Sequence, residues 1–338
     1  MNDFTANIDK LVEITSDYRV ADGISQSREN VSAWLEQFPE NIRLELLTSV
    51  TDCLGRTYFS KKKFVEFLDM LCTNSKFCGD NAKEFWSGVN LLNIQISGNS
   101  QREMVSALKS RIQKNLGLNS GDGEKVYIYF DDAIFSGGRA KNDLVPWIKN
   151  HAPPKSELRI VTVGLHSYGH YVVDKAVEEA VKESGKDINF RFWRAVEFKN
   201  NPRRPEISDV LWPAEVPDDE LVKNYISNLP RPELLKLRNA QLTKPTTVFP
   251  NIKQREFLER ELLIAGARVR EICPQLTEFQ RPLGNILFSS FGFGSLFVTF
   301  RNCANNVPIA LWAGSPWIPL FPRKTNTDSS FERFMESL

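Results

Sequence analysis

The stretch Val126-Tyr-Ile-Tyr-Phe-Asp-Asp-Ala-Ile-Phe-Ser-Gly-Gly-Arg139 decides how this chain reads. Val126 to Phe130 is a short run of β-branched and aromatic residues, which predicts a buried strand. Two acids follow, then a Gly-containing turn, then a helix marked by Leu144, Val145 and Ile148. Parallel strands present ligands beyond their carboxyl ends, and Asp131 and Asp132 stand at that end. Adjacent carboxylates there can accept hydrogen bonds from vicinal ribose hydroxyls or from water around a magnesium ion. Ser136, Gly137, Gly138 and Arg139 then offer successive backbone N–H groups at a helix N-terminus. The glycines let that backbone approach a phosphate, and the helix dipole favours its charge. The pattern suits a 5′-phosphate beside a ribose, with a plain structural turn or another nucleotide fold as the alternatives.

Outward from this stretch, the texture predicts alternating strands and helices. Upstream, Leu91 to Ile96 is a short apolar run, and Ser100 with Glu103 forms a capping box opening a helix through Met104, Leu108 and Ile112. Downstream, Arg159 to Leu165 predicts a strand, Tyr171 to Val181 a helix and Asn189 to Phe198 a further strand. Strands and helices alternating at this spacing imply βαβ units and a mainly parallel sheet.

The flanks differ. In the first ~90 residues, Val31, Trp34, Leu35 and Phe38, then Phe64, Phe67, Leu68 and Leu71, recur at helical spacing. Lys61-Lys62-Lys63 reads as a solvated helix face or a surface for an acidic partner. After a Pro-rich stretch from Asn200 to Pro217, Asn251 to Ile272 predicts a long helix. The tail then turns β-like at Asn285 to Phe288, Ser295 to Phe300 and Ile309 to Trp312. The expected organisation is a helical N-terminal domain over 1–88, an α/β core over 89–215 and a C-terminal α+β region over 216–338. The last residues, from Lys324, read as a frayed end.

Composition bounds the function classes. The chain has 338 residues, 41% hydrophobic and 25% charged, enough to bury a sizeable core. Lys and Arg number 43 against 42 Asp and Glu, so there is no global basic field for nucleic acid. Five cysteines without a C-x-x-C pair argue against a zinc finger or disulfide framework and for a reducing cytoplasm. No apolar run approaches the ~18 residues of a membrane span, and the N-terminus lacks the apolar region of a secretion signal.

Other residues are candidates for the same site. Ser97, Gly98, Asn99 and Ser100 form a Gly-containing turn opening a helix, either a second phosphate loop or an ordinary strand-to-helix turn. His166, His170 and Asp174 stand at i, i+4 and i+8, which suits metal ligands, a substrate contact or a structural role. Phe192, Trp193 and Trp212 are candidates to stack a nucleobase or to fill the core. Arg203-Arg204 reads as a phosphate clamp or a solvated loop pair.

The strand, acid pair and hydroxyl–Gly loop resemble the PRPP-binding motif of type I phosphoribosyltransferases. That resemblance assigns Asp131 and Asp132 to the ribose 2′ and 3′ hydroxyls, and Ser136 to Arg139 to the 5′-phosphate. It assigns Ser97 to Ser100 to pyrophosphate, and it implies Mg²⁺ bridging hydroxyls and pyrophosphate. The family usually closes the loop with Thr or Ser, and here Arg139 stands instead. Receiver domains and haloacid-type phosphatases also place acids at a strand end, without a Gly-rich turn feeding a helix.

Most of the chain resembles the bacterial conflict-associated PRTase-CE family. The residues that carry this are Trp34-Leu-Glu-Gln-Phe38, Gln95 to Gln101, Phe130 to Arg139 and Val210-Leu-Trp-Pro213. Arg281-Pro-Leu-Gly284, Asn305-Asn306, Leu311-Trp312 and Trp317 to Arg323 complete the series in order. The resemblance implies a phosphoribosyltransferase-like effector of anti-phage systems, some of them retrons. The leading expectation from the residues is action at ribose C1′ by base transfer or nucleotide breakdown, with His166 and Trp193 as candidate base contacts. Alternatives are a PRPP or nucleotide sensor without turnover, and a subunit docking a reverse transcriptase with its RNA and DNA. The expected setting is cytoplasmic, with oligomerisation open.

Overall fold

The computed structural model describes residues 3–95 and 100–323. Three helices open the chain: α1 (Asp3–Ile14), α2 (Arg28–Glu36) and α3 (Arg43–Thr57). Helix α2 starts where the Ser27 side chain accepts from the Asn30 N–H, and it buries Val31, Trp34 and Leu35 on one face. Helices α4 (Lys61–Thr73), α5 (Ser75–Cys78) and α6 (Ala82–Ser87) follow, α4 burying Phe64, Phe67, Leu68 and Leu71.

Strands β1 (Val89–Leu91), β2 (Val126–Ile134), β3 (Lys155–His166) and β4 (Asp187–Phe198) form one parallel sheet in the order β1-β2-β3-β4. Helices α7 (Ser100–Leu116), α8 (Gly138–Asn150) and α9 (Ser167–Ser184) connect them. The fold is α/β, as the alternation predicts. Side chains alternate across β2. Tyr127 and Tyr129 share a core with Leu144, Trp147 and Ile148 of α8 and Val173 and Val177 of α9. Phe130 faces the other way, 6.4 Å from the Phe67 ring of α4. Burying each such side chain stabilises by roughly 1.5–3 kcal/mol. The register places Asp131 beside Thr162, and Thr162 beside Arg194, so three strands reach the acid pair together.

The β1 strand differs from its expectation of Leu91 to Ile96. It ends at Leu91, because the N–H groups of Ile94 and Gln95 donate to the Gln101 side chain at 2.7 and 2.8 Å. Those donors are unavailable to a sheet ladder. Ile96 lies outside the described residues.

Beyond the sheet come α10 (Glu220–Ser227), α11 (Ile252–Ile272) and α12 (Ile309–Trp312). Two small hairpins pair β5 (Gln280–Arg281) with β6 (Gly284–Asn285) and β7 (Val298–Thr299) with β8 (Asn302–Cys303). The expected strand over Ile309 to Trp312 is therefore a correction. Following Pro308, this segment closes one helical turn, with all four side chains buried.

The chain forms two compact units that do not follow the three expected segments. One is Lys62–Phe198; the other joins the segment up to Lys61 with the segment from Lys199. In the second unit the ends of the chain are knitted together. Trp34 and Trp317 both donate to the Ala310 carbonyl, at 2.8 and 2.9 Å, and Gln37 bonds the Ile318 backbone in both directions. The aromatic tail thus packs the N-terminal helices as well as α11, with the Arg268 guanidinium over the Trp317 ring. All five cysteines are buried and unbridged. Among the described residues no helix is long and apolar enough to cross a membrane.

A buried charge network fixes the loops of this unit. Glu259 of α11 accepts from Arg238 at 2.8 Å, Arg255 at 2.8 Å and the Trp212 N–H at 2.9 Å. Arg255 also donates to the carbonyls of Pro205, Glu206 and Val210. Removing one partner from a buried ion network strands the others, at about 3–5 kcal/mol. Glu259→Ala is therefore expected to cost about that much, read as a fall in the denaturant midpoint. A change under 1 kcal/mol would contradict the network's role.

Candidate functional site

The C-terminal end of β2 gathers the acids. Asp131 is buried and Asp132 half-buried. The Ser100 hydroxyl, from the first residue of α7, donates to Asp131 Oδ1 at 2.7 Å, and the Asp132 N–H donates to the same oxygen at 2.9 Å. Asp132 accepts from the Ala133 N–H at 2.8 Å. Tyr129, two residues earlier on the same strand face, donates to Asp143 Oδ2 at 3.0 Å, with Asp131 Oδ2 3.5 Å away. Burial pushes both carboxyls of the pair up from the usual carboxylate range, and the Asp131 charge raises Asp132 further. The Ser100 bond and the nearby Arg139 charge act the other way.

The loop that follows is shaped by two glycines. Gly137 adopts a left-handed backbone, φ +82°, and is the N-cap of α8. A Cβ there would lie 2.7 Å from the Gly169 carbonyl and 3.0 Å from Val172 Cβ. Gly169 is equally constrained, since its Cβ would fall 2.2 Å from the Phe135 carbonyl. The loop therefore rests directly on the first turn of α9, which only glycines at both positions allow. Gly169, a poor helix residue by propensity, is explained by this contact. Gly138 differs: a Cβ there meets only Ser136 Oγ, at 3.7 Å. No side chain caps α8, so its first-turn N–H groups point toward whatever lies before the helix. Ser136 and Arg139 are exposed on this loop.

The other candidates are placed differently. His166 is fully buried between the rings of Phe135, at 4.8 Å, and Phe198, at 5.0 Å, both stacked. Burial lowers it to about 3, so it is neutral near pH 7. His170 packs edge-on against Phe192 at 4.3 Å. Among the described residues no three His, Cys, Asp or Glu side chains converge as metal ligands. Of the three readings of His166, His170 and Asp174, the structural one describes the histidines, which are oriented by ring contacts, stacked for His166 and edge-on for His170. Trp193 packs edge-on against Phe77 of α5 at 4.9 Å, on the sheet face opposite Tyr129. Trp212 belongs to the other unit, where its indole donates to the Lys236 carbonyl. Arg203 and Arg204 are exposed in a loop. Ser97, Gly98 and Asn99 lie outside the described residues; Ser100 is the member of that turn the structure joins to the acid pair.

Tyr129 and Asp143 were not among the sequence candidates. Their signal was available: Tyr129 shares the strand face of Asp131, and Asp143 interrupts the buried stripe Ala140, Leu144 and Trp147.

A family model described as PRTase-CE matches residues 31–323. The chain belongs to the PRTase-CE family. It is accordingly a phosphoribosyltransferase-like protein, and the acid pair and Gly-containing turn of β2 and α8 lie within the matched span. No curated protein matches the chain, and no solved structure does.

The raised carboxyls make a stability prediction. A carboxyl with a folded-state pKa above its unfolded value holds its proton more tightly in the fold. Stability is then greatest below the unfolded value, near 4, and falls as pH rises toward the raised one. Asp131→Asn is expected to melt on the order of 2–4 °C higher at pH 7.5, about 1 kcal/mol, with the gain vanishing near pH 4. A variant that melts lower than wild type at pH 7.5 would contradict the unfavourable charge.

Proposed function

We propose that the Asp131–Arg139 segment binds the ribose 5-phosphate part of PRPP or of a nucleotide. The observation that carries this reading is the junction itself: an acid pair, Asp131 buried and Asp132 half-buried, at a parallel strand end, leading through a left-handed glycine into a helix with no side-chain cap. Asp131 and Asp132 accept hydrogen bonds from the ribose hydroxyls. The backbone N–H groups of Ser136 to Arg139 hold the 5′-phosphate, with the exposed Arg139 guanidinium adding charge in place of the usual hydroxyl. Ser97 to Ser100 hold the pyrophosphate. Two adjacent carboxylates fit Mg²⁺, which keeps several waters and uses one or two carboxylates together with phosphate oxygens. When bound, that ion supplies positive charge to a pyrophosphate leaving group.

The reaction proposed is displacement at ribose C1′, by base transfer or nucleotide breakdown. The chain's own part is positioning: the acid pair and the helix N-terminus fix the sugar while positive charge builds on its ring. Two carboxylates beside that ring stabilise such charge. His166, enclosed and neutral, is not in reach of a substrate in this arrangement, and that favours a second reading in which the site senses its ligand without turnover. From family membership, the proposed setting is an anti-phage effector, with a reverse transcriptase and its nucleic acid as candidate partners in a retron.

Calorimetry with PRPP and Mg²⁺ tests the binding. Losing two hydrogen bonds from charged acceptors, at roughly 1.5–3 kcal/mol each, is expected to weaken Asp131→Asn/Asp132→Asn by about 100-fold or more. Gly138→Ala leaves the protein's own packing undisturbed, since its nearest atom is 3.7 Å away. The added methyl crowds a bound phosphate and is expected to cost at least about tenfold. Wild-type affinity in both variants would sink the reading. Mass spectrometry of PRPP and nucleotides incubated with wild type then separates turnover from sensing.

A further inference from the structure

Asp131 is held asymmetrically. Its Oδ1 takes two hydrogen bonds, from the Ser100 hydroxyl and the Asp132 N–H. Its Oδ2 lies 3.5 Å from the Tyr129 hydroxyl, at the outer limit of a hydrogen bond. That hydroxyl has one hydrogen and two buried carboxylates in reach. It donates to Asp143 Oδ2 at 3.0 Å. Tyr129 is fully buried in an otherwise apolar cluster with Leu144, Leu158 and Ile160, where a phenylalanine would fill the same space. A buried hydroxyl is costly unless bonded, and a carboxylate on the inner face of α8 more so. Here the two are bonded to each other directly beside Asp131.

We propose that Asp143 and Tyr129 are positioning residues of the acid-pair site: Asp143 holds the Tyr129 hydroxyl at the far limit of its bond to Asp131, so that Asp131 Oδ2 can accept from a ligand hydroxyl or a magnesium-bound water. This role rests on the ribose-phosphate reading of the site. Without the anionic Asp143, the hydroxyl turns to the remaining carboxylate, since charge-assisted hydrogen bonds are about twice as strong as neutral ones. Asp131 Oδ2 is then occupied by the protein itself. Among the described residues, the charged and titratable groups that act on Asp131 or on its neighbour Tyr129 include Asp132 from β2 and Arg139 and Asp143 from α8; Ser100 from α7 and Thr162 from β3 beside them are neutral.

The test is a double-mutant cycle with two readouts. In calorimetry with PRPP and Mg²⁺, Asp143→Asn is expected to bind about tenfold more weakly than wild type. Adding Tyr129→Phe removes the competing donor and is expected to restore affinity to within about threefold, which a merely structural Asp143 would not allow. The second readout needs no ligand: carboxyl carbon NMR of Asp131. In Asp143→Asn its titration midpoint is expected to fall, through gain of the tyrosine bond, and in the double variant to stay near that of wild type. A double variant as weak as Asp143→Asn overturns the role, as does an unmoved midpoint. Wild type that binds PRPP alongside an equally tight Asp143→Asn overturns this role alone. Wild type that binds no PRPP overturns the ribose-phosphate reading, and this role with it.

Discussion

A carboxylate buried at the end of a strand is costly, and the arrangement around Asp131 answers that cost only in part. Two donors, Ser100 and the Asp132 N–H, converge on one oxygen, while Asp132 brings a second negative charge alongside. The pair remains strained toward protonation. Charge of this kind is kept where it has a use, and functional sites concentrate such shifts. The rest of the unit can be understood from this point. The sheet register brings β3 and β4 level with the pair, α7 delivers Ser100, and α8 delivers both the uncapped N-terminus and Asp143.

The two helix termini are tied to the acids by different means. Helix α7 is tied by a side-chain bond from its first residue, reinforced by the Gln95–Gln101 exchange at its entry. Helix α8 is tied through Tyr129 and through the contact of Gly137 on Gly169. A shift of either helix along its axis therefore disturbs Asp131 directly. Such coupling suits a site whose parts must keep one fixed relation, as the proposed ribose-phosphate binding requires.

Much of this was legible in the sequence where the information is local. The strand, the adjacent acids, the Gly-containing turn and the helix of Val126 to Asn150 all come from neighbouring residues with strong preferences. The contact between Ser100 and Asp131 spans 31 positions and follows from the crossover geometry, not from any motif. His166 shows the opposite limit. Its position after a strand fits a ligand contact, but only the packed structure places Phe135 and Phe198 on its two faces. The tail misled for a related reason: Ile309 to Trp312 is apolar enough for a strand, yet a buried four-residue run is equally good as one helical turn. The division into units was hidden because Trp34 and Ala310 meet across almost the whole chain.

That last contact has a consequence for synthesis on the ribosome. Helices α1, α2 and α3 emerge first and pack on one another, but the bonds that Trp34 and Gln37 make with the tail, and the Phe38 contact with Trp317, wait until the tail is made. The sheet unit, continuous from Lys62 to Phe198, is complete long before. At usual elongation rates the wait is on the order of tens of seconds, during which the sides of Trp34 and Phe38 that the tail covers face solvent or a chaperone. The nascent chain thus carries a sheet unit whose segments are all present, attached to a second unit still missing its later half.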